Sequence, residues 1–383
     1  MAVTFEWEQG MQHSTLPQGF KTALLALFRQ HGKKALSNGR KSGKPVSIDR
    51  QRERLNHVLS SFETIRAGGF QIADPFALRQ KHVQYLVRNW IETGISLGHM
   101  QNQLTALRGL CEWMGKKDLV RSLHTYESAP EICSRSGIAT EDKSWESKGI
   151  DVEAVIASIT KSDIHVGMTL RLCAAFALRR KEGSMLRPAR VTPGVLKVPV
   201  KEGTKGGRYR EVEIEFLWQY DLLAEAEAAA IAHPEKGSLI PPGYTPEQWR
   251  RRFYYILQKH GITKKELGVT THGLRHGFTH ALYERMTGVP AAIKGSLLRP
   301  DVQAHKRATA KIVEVAGHSR VSKSNAYLST FAAMQKRGAP VVTVEQAQAA
   351  LRAANGVIKH AADALGITRP RLYRLLAKAT KSG

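Results

Sequence analysis

The chain of 383 residues lacks any apolar run near the ~20 residues needed to cross a bilayer. Its first nine residues, with Glu6 and Glu8, lack the basic-then-apolar layout of a secretion signal. A cytoplasmic protein with no membrane partner is therefore expected. Cysteine is scarce: Cys111, Cys133 and Cys173 are odd in number and far apart. They offer neither a disulfide framework nor zinc spacing, and they read as reduced core residues. Acidic residues are outnumbered, 33 Asp and Glu against 58 Lys and Arg, which leaves a formal charge of +25. Such an excess repels itself when compact and calls for a polyanion. Nucleic acid leads, because each neutralised phosphate releases condensed counterions; a ribosome or an anionic membrane surface would give the same balance.

What is present organises the chain into more than one domain, as its length implies. Leu55, Val58, Leu59, Phe62 and Ile65 form one helical stripe, Val83, Leu86, Val87 and Trp90 a second, and Met100, Leu104, Leu107, Cys111 and Met114 a third. Helices that each bury one face make a small bundle. The helical pattern starts at Phe20, and between that first helix and the one carrying Leu55 lies Gly32–Lys44, a Gly- and Ser-containing segment with Lys33, Lys34, Arg40, Lys41 and Lys44, read either as a solvated loop or as a phosphate-contacting arm. The stretch from about Ser122 to Gly149 is polar and unperiodic, a linker. Beyond it, Val198 and Val200 alternate with lysines, and Val212, Ile214 and Phe216 alternate with Glu211, Glu213 and Glu215, around a turn at 202–207. That pattern is a β-hairpin. After a break at Gly338-Ala339-Pro340, two short helices around Gly366 suit a helix-turn-helix, with Arg369, Arg371 and Arg374 on the second helix, the one that enters a major groove.

Cleaving a phosphodiester with a side chain requires fixed cations for the non-bridging oxygens, a proton donor for the departing oxygen, a nucleophile and imidazoles to move protons. Arginine suits the first task because its fork matches phosphate, and with Arg and Lys in place no metal or cofactor is needed. The chain offers such a set in order. Arg179 follows an apolar helix, with Glu182 three residues on; Lys205 sits at the hairpin tip; His272-Gly-Leu-Arg-His276 supplies two imidazoles and Arg275; Gly317-His318 precedes Tyr327.

In these residues the chain resembles the tyrosine recombinase (phage integrase) family. Its pattern runs Leu-Arg-x-x-Glu, a hairpin Lys, His-x-Leu-Arg-His, Gly-His and Tyr, and every part is matched over about 179–331. The resemblance implies that Arg179 and Arg275 clamp the scissile phosphate and that Tyr327 forms a 3′-phosphotyrosyl link. It implies that Lys205 protonates the leaving 5′ hydroxyl, His272 is the acid–base partner of Tyr327, and His318 bonds the phosphate, with Glu182 and His276 as supports. The implied fold is mainly α with a small β-sheet: a helical core-binding domain over 1–121, a linker over 122–150, a catalytic domain over 151–337 and a helix-turn-helix extension over 338–383. The implied partners are double-stranded DNA at attachment sites, further copies of the chain as a homotetramer on DNA, and accessory DNA-bending proteins. The activity would be site-specific recombination that integrates or excises a mobile element.

Two departures stand out. An extra stretch around Thr287–Arg307 carries Lys294, Arg299, Lys306 and Arg307, read as a loop against DNA or a neighbouring subunit or as an inert insertion. Ala177 stands where Gly is common, with no evident chemical consequence. Three rivals share parts of the pattern. A metal-dependent nuclease could use His272, His276 and His280, four apart on one helix face. A non-catalytic DNA-binding regulator could rest on the helix-turn-helix, and a type IB topoisomerase-like enzyme would share the chemistry.

Overall fold

The computed structural model describes all residues except 1–4, 37–44, 130–132, 192–193, 232–236, 297, 339–341, 368 and 380–383. The chain divides into two compact units, Met1–Ser136 and Gly137–Gly383, so the division falls inside the stretch read as a linker.

The first unit is helical: α1 (Trp7–Met11), α2 (Gln18–His31), α3 (Ile48–Ala67), α4 (Gln80–Glu92) and α5 (Leu97–Trp113). Ser47 and Ser96 start α3 and α5 by accepting hydrogen bonds from the backbone N–H groups of Arg50 and His99. The three apolar stripes are buried almost throughout and pack together with Phe20, Leu24 and Phe28 of α2. Lys33 and Lys34 are exposed, whereas Arg40, Lys41 and Lys44 lie outside the described residues. Buried Arg54 donates to the carbonyls of Gly32 and Lys34, both at 3.1 Å, and lies over the Trp113 ring. Burial pulls its pKa down to about 10.

The second unit is built around α7 (Ile164–Phe176), which follows α6 (Val152–Ser162) and is buried on nearly every side. An all-round apolar helix belongs at a centre, and α6, α8 (Arg180–Met185) and α11 (His272–Thr287) all pack on it. The strands β1 (Lys197–Val200) and β2 (Arg210–Glu213) pair antiparallel, Val198 opposite Val212 and Val200 opposite Arg210. The hairpin is where the alternation put it, but β2 stops before Phe216. Gln219 accepts from the N–H groups of Glu215 and Phe216 and opens α9 (Leu217–Ile231) instead. Further along the second unit come α10 (Pro246–Lys259), α12 (Val302–Val315), α13 (Asn325–Leu328) and α14 (Phe331–Gly338).

The insertion around 287–307 is not a plain loop. Its last six residues are the start of α12, capped by Asp301, which accepts from Gln303 and Ala304. Earlier in it, Ala291, Ala292 and Ile293 are buried. Residues 122–150 are likewise structured at both ends. Cys133 is buried in the first unit's core, and Trp145, fully buried, belongs to the second unit's core and donates to the carbonyl of Thr270.

The tail has three helices rather than two: α15 (Val344–Ala353), α16 (Ile358–Ala364) and α17 (Arg369–Ala379). They share a small core of Val342, Ala347, Ala361, Ala362, Ile367 and Leu372. Gly366, at φ +61°, makes the turn between the last two helices. Arg369 and Arg374 are exposed on α17 and Arg371 is half-buried.

Candidate active site

The site forms where α8, α11, β2, the turn after α12 and α13 meet. The chain reaches Arg179 through Ala177, which ends α7 in the left-handed conformation, φ +48° and ψ +36°. An L-residue there costs roughly 1 kcal/mol that glycine avoids. The Ala-for-Gly departure therefore sits at a strained corner immediately before the first arginine. Arg179 then caps α8. Its backbone N–H donates to Glu182 Oε2 at 2.8 Å, its Nη1 to Glu182 Oε1 at 2.6 Å, and its Nη2 to the carbonyl of Ala316 at 3.2 Å.

Arg275, in the first turn of α11, is 0% exposed and shares the Ala316 carbonyl with Arg179. Its Nη1 lies 3.9 Å from Glu182 Oε2, too far for a hydrogen bond, and both Nε and Nη1 are buried without a partner. Burial is the main reason its pKa falls to about 10, so it stays charged at neutral pH. Glu182 is also fully buried. Burial opposes its ionisation, but the hydrogen bonds and charge of Arg210, then those of Arg179, outweigh that and hold its pKa at about 2.

Tyr327 in α13 is 4% exposed, and its hydroxyl lies 3.1 Å from His318 Nε2. Its backbone carbonyl is held by His280 Nε2 at 3.0 Å, and the His276 ring packs 4.9 Å from its ring. The ring of His272 is 6.1 Å away, so the hydroxyl's partner here is His318 rather than His272. Loss of hydration, then the charges of Arg275 and Arg179, lowers His272 and His318 to about 4. Burial lowers His276 to about 3, with its histidine neighbours and Lys143 adding to the effect. All three imidazoles are neutral at pH 7, and that of His318 lies within hydrogen-bond reach of the phenol. His272, His276 and His280 step edge-to-face along α11 with ring centres 5.2 and 6.0 Å apart, and no group of three or more His, Cys, Asp or Glu among the described residues could hold a metal ion.

Arg179, Glu182, His272, Arg275, His276, His318 and Tyr327 thus come together from segments up to 148 residues apart. Lys205 does not join them. It is exposed in the 3-10 turn of the hairpin, and no hydrogen bond or ion pair links it to the cluster. Two residues escaped the sequence reading. Lys143 lies close enough to depress His272 and His276, its backbone carbonyl packed against Gly273. Arg210 of β2 is buried under the cluster, its Nη1 and Nη2 forked onto Glu182 at 3.0 and 2.7 Å and its Nε donating to the carbonyl of Val315 at 2.7 Å. Its signal was parity: Arg210 falls on the same inward strand face as Val212 and Ile214.

Comparison with known proteins bears on the family and the fold. The profile described as "Phage integrase, N-terminal" matches residues 40–120, the one described as "Integrase" matches 136–281, and the one described as "Bacterial regulatory protein, Fis family" matches 347–378. The integrase match ends before His318 and Tyr327, whose placement rests on the structure. No curated protein sequence matches the chain. Among solved structures, the XerH site-specific recombinase bound to its difH substrate before cleavage superposes with a TM-score of 0.50 at 15% identity, over 84% of this chain and 96% of that one. A lambda integrase dimer bound to a COC′ core site gives 0.49 at 13% identity, over 80% and 95%. The Tn1549 transposon integrase with circular-intermediate DNA gives 0.45 at 13%, over 82% and 97%. At such identities the XerH likeness is one of fold. With the two integrase profiles spanning more than half of the chain between them, this protein belongs to the tyrosine recombinase (phage integrase) family, with an added Fis-type helix-turn-helix.

Proposed function

We propose that the protein is a site-specific recombinase that breaks and rejoins DNA through Tyr327. The observation that carries the reading is the pair of unpartnered nitrogens on fully buried Arg275, beside a phenol held by a neutral imidazole. A buried cation with idle donors is costly unless an anion completes it, and a backbone phosphate fits a planar fork. Arg275 and Arg179 hold the non-bridging oxygens. Tyr327 loses its proton to the histidine pair, its oxygen attacks phosphorus, and the bond to the 5′ oxygen breaks. The 5′ oxygen takes a proton from Lys205 at the hairpin tip, leaving a 3′-phosphotyrosyl link and a free 5′ hydroxyl. Rejoining is the reverse, attack of a 5′ hydroxyl on that link. Phosphoester energy is kept throughout, so neither a metal nor a nucleotide cofactor is required.

Strand exchange between two duplexes breaks four strands, and each chain supplies one Tyr327, so four copies act together. Lys33, Lys34, Arg40, Lys41 and Lys44 contact backbone phosphates, and Arg369, Arg371 and Arg374 bring α17 to DNA. The catalytic domain over 151–337 acts with the helical domain over 1–121 on attachment sites of a mobile element, in the cytoplasm and with accessory bending proteins where a site demands them. The test is incubation with nicked duplexes tiled across the DNA flanking its own gene, followed by denaturing electrophoresis. A covalent adduct that maps to Tyr327 and vanishes in Tyr327→Phe is expected; an adduct persisting in that variant rejects the assignment.

A further inference from the structure

We infer that Arg210 is a positioning residue for Arg275: by occupying both carboxylate oxygens of Glu182, it keeps that carboxylate from capturing the guanidinium that meets the phosphate. This rests on the reading of Arg275 as a phosphate ligand.

Glu182 is the carboxylate at the centre of the cluster, with three guanidinium groups around it. Each of its oxygens already takes two donors. Oε1 receives Arg210 Nη1 and Arg179 Nη1, and Oε2 receives Arg210 Nη2 and the backbone N–H of Arg179. Half of these donors belong to Arg210, and they form the two-pronged contact that arginine makes best with carboxylate. Arg275 stands just outside this shell, its nearest nitrogen 3.9 Å from Glu182 and without a partner. Without the Arg210 fork, a buried carboxylate would be left short of donors, with an Arg275 nitrogen that lacks a hydrogen bond only 3.9 Å away. Closing their 3.9 Å separation to a hydrogen-bonded pair would satisfy both. It would also take from Arg275 the nitrogens that the phosphate needs.

The rest of Arg210 supports a positioning role. It arises from the strand opposite Val200, and Nε reaches the carbonyl of Val315, at the end of α12. A side chain on Gly317 would meet Arg210 Cδ at 3.2 Å and Nη1 at 3.3 Å, and Gly317 has φ +65°. Arg210 therefore lies directly beneath the turn that delivers His318, tying the Lys205 hairpin to that turn. It makes no hydrogen bond or ion pair with Tyr327 among the described residues.

A purely structural ion pair and a shield for Arg275 differ in sign when Glu182 is also neutralised. The full chain would be compared with R210M, E182Q and the double variant, with melting curves to establish folding. Two readouts are taken: the rate of covalent adduct formation on the nicked duplexes, and the gain in melting temperature given by inorganic phosphate. R210M is expected to form adduct about 100-fold more slowly, the scale of losing one charge-stabilising donor. Adding Glu182→Gln should restore at least about tenfold, because the competitor for Arg275 is gone. Phosphate protection should follow the same order. If R210M melts too low to assay, R210K takes its place, with a smaller loss and the same relief by Glu182→Gln. A native rate in R210M, or a double variant no faster than R210M, overturns the inference. Should the native chain form no adduct at all, the cleavage reading fails on its own, while phosphate protection still decides the role of Arg210.

Discussion

Replacing Arg275 by Met should make the DNA-free protein more stable while nearly abolishing cleavage. The guanidinium is 0% exposed, two of its nitrogens lack partners, and its pKa is pulled from 12.5 to about 10. At 1.36 kcal/mol per unit, that depression corresponds to about 3 kcal/mol of unfavourable burial of the charged form. Methionine is apolar and of similar length, so the substitution removes this cost but also the bond to the Ala316 carbonyl, which contributes about 1 kcal/mol. The net expectation is a gain of about 2 kcal/mol, which in a unit of this size raises the melting temperature by roughly 4–8 °C. Cleavage should fall at least 100-fold, since a donor aimed at developing phosphate charge is worth roughly 3–4 kcal/mol. Calorimetry of the free protein and a single-turnover adduct assay give the two numbers. A melting temperature below that of the native chain would refute the reasoning, because it would mean that Arg275 is satisfied without a ligand.

Two further expectations concern the scaffold. At Gly273 a Cβ would lie 2.5 Å from the backbone oxygen of Lys143 and 2.6 Å from the Trp145 ring, whereas at Gly277 the nearest atoms are those of the side-chain carboxylate of Glu146, which is exposed. Gly273→Ala should therefore cost about 1–3 kcal/mol, while Gly277→Ala should be close to neutral, helped by alanine's helix propensity; equal melting temperatures would contradict the packing of residues 143–146 on α11. Acid lability should appear in two windows. His276 has a folded pKa of about 3 against 6.5 unfolded, so the unfolded chain binds the extra proton and stability falls by up to about 1.4 kcal/mol per pH unit as pH drops from 6.5 towards 3. Glu182, at about 2 against 4.5, loses its contribution as pH drops from 4.5 towards 2. Denaturant midpoints from pH 7 to pH 4 that do not change would reject the first window.

The residues that the structure gathers into the candidate site were legible because the chemistry proposed for them restricts which residue types can serve. A guanidinium, an imidazole and a phenol have few substitutes on a phosphoester, and His272-Gly-Leu-Arg-His276 with Gly317-His318 and Tyr327 leaves little freedom of assignment. The groups that hold them in place were harder to read, since their roles depend on contacts between segments far apart in sequence. Trp145 was a tryptophan in a polar stretch, and only the close packing of that stretch on α11 shows why it is there. Arg210 was masked by the run of strand charges, although an arginine on the inward face of a hairpin needs a buried anion. Helix α15 went unread although its pattern is amphipathic: its one buried residue is Ala347, and Val344 and Leu351 are its only large apolar side chains. Ala177 looked innocuous as a residue type; the left-handed backbone that makes it costly is a property of the corner.

The electrostatics of the free site carry one last consequence. Arg179, Arg210 and Arg275 surround a single carboxylate, and burial, followed by the charges of Arg275 and Arg179, drives His272 and His318 down to about 4. A phosphodiester placed against Arg275 and Arg179 would cancel part of that field and favour the imidazolium forms. Binding and protonation are then linked: the anion raises the histidine pKa values, and a proton taken from Tyr327 becomes easier to hold once the phosphate is seated. Binding of cognate duplex should accordingly take up protons at about pH 5 and cease to do so near pH 8, where both states are neutral. Titration calorimetry in two buffers of different ionisation enthalpy measures the uptake directly. His272→Gln and His318→Gln should each reduce it. Zero uptake at pH 5 would mean that the phosphate does not sit among these three arginines and two histidines, and the site would have to be read as something other than a phosphate-binding centre.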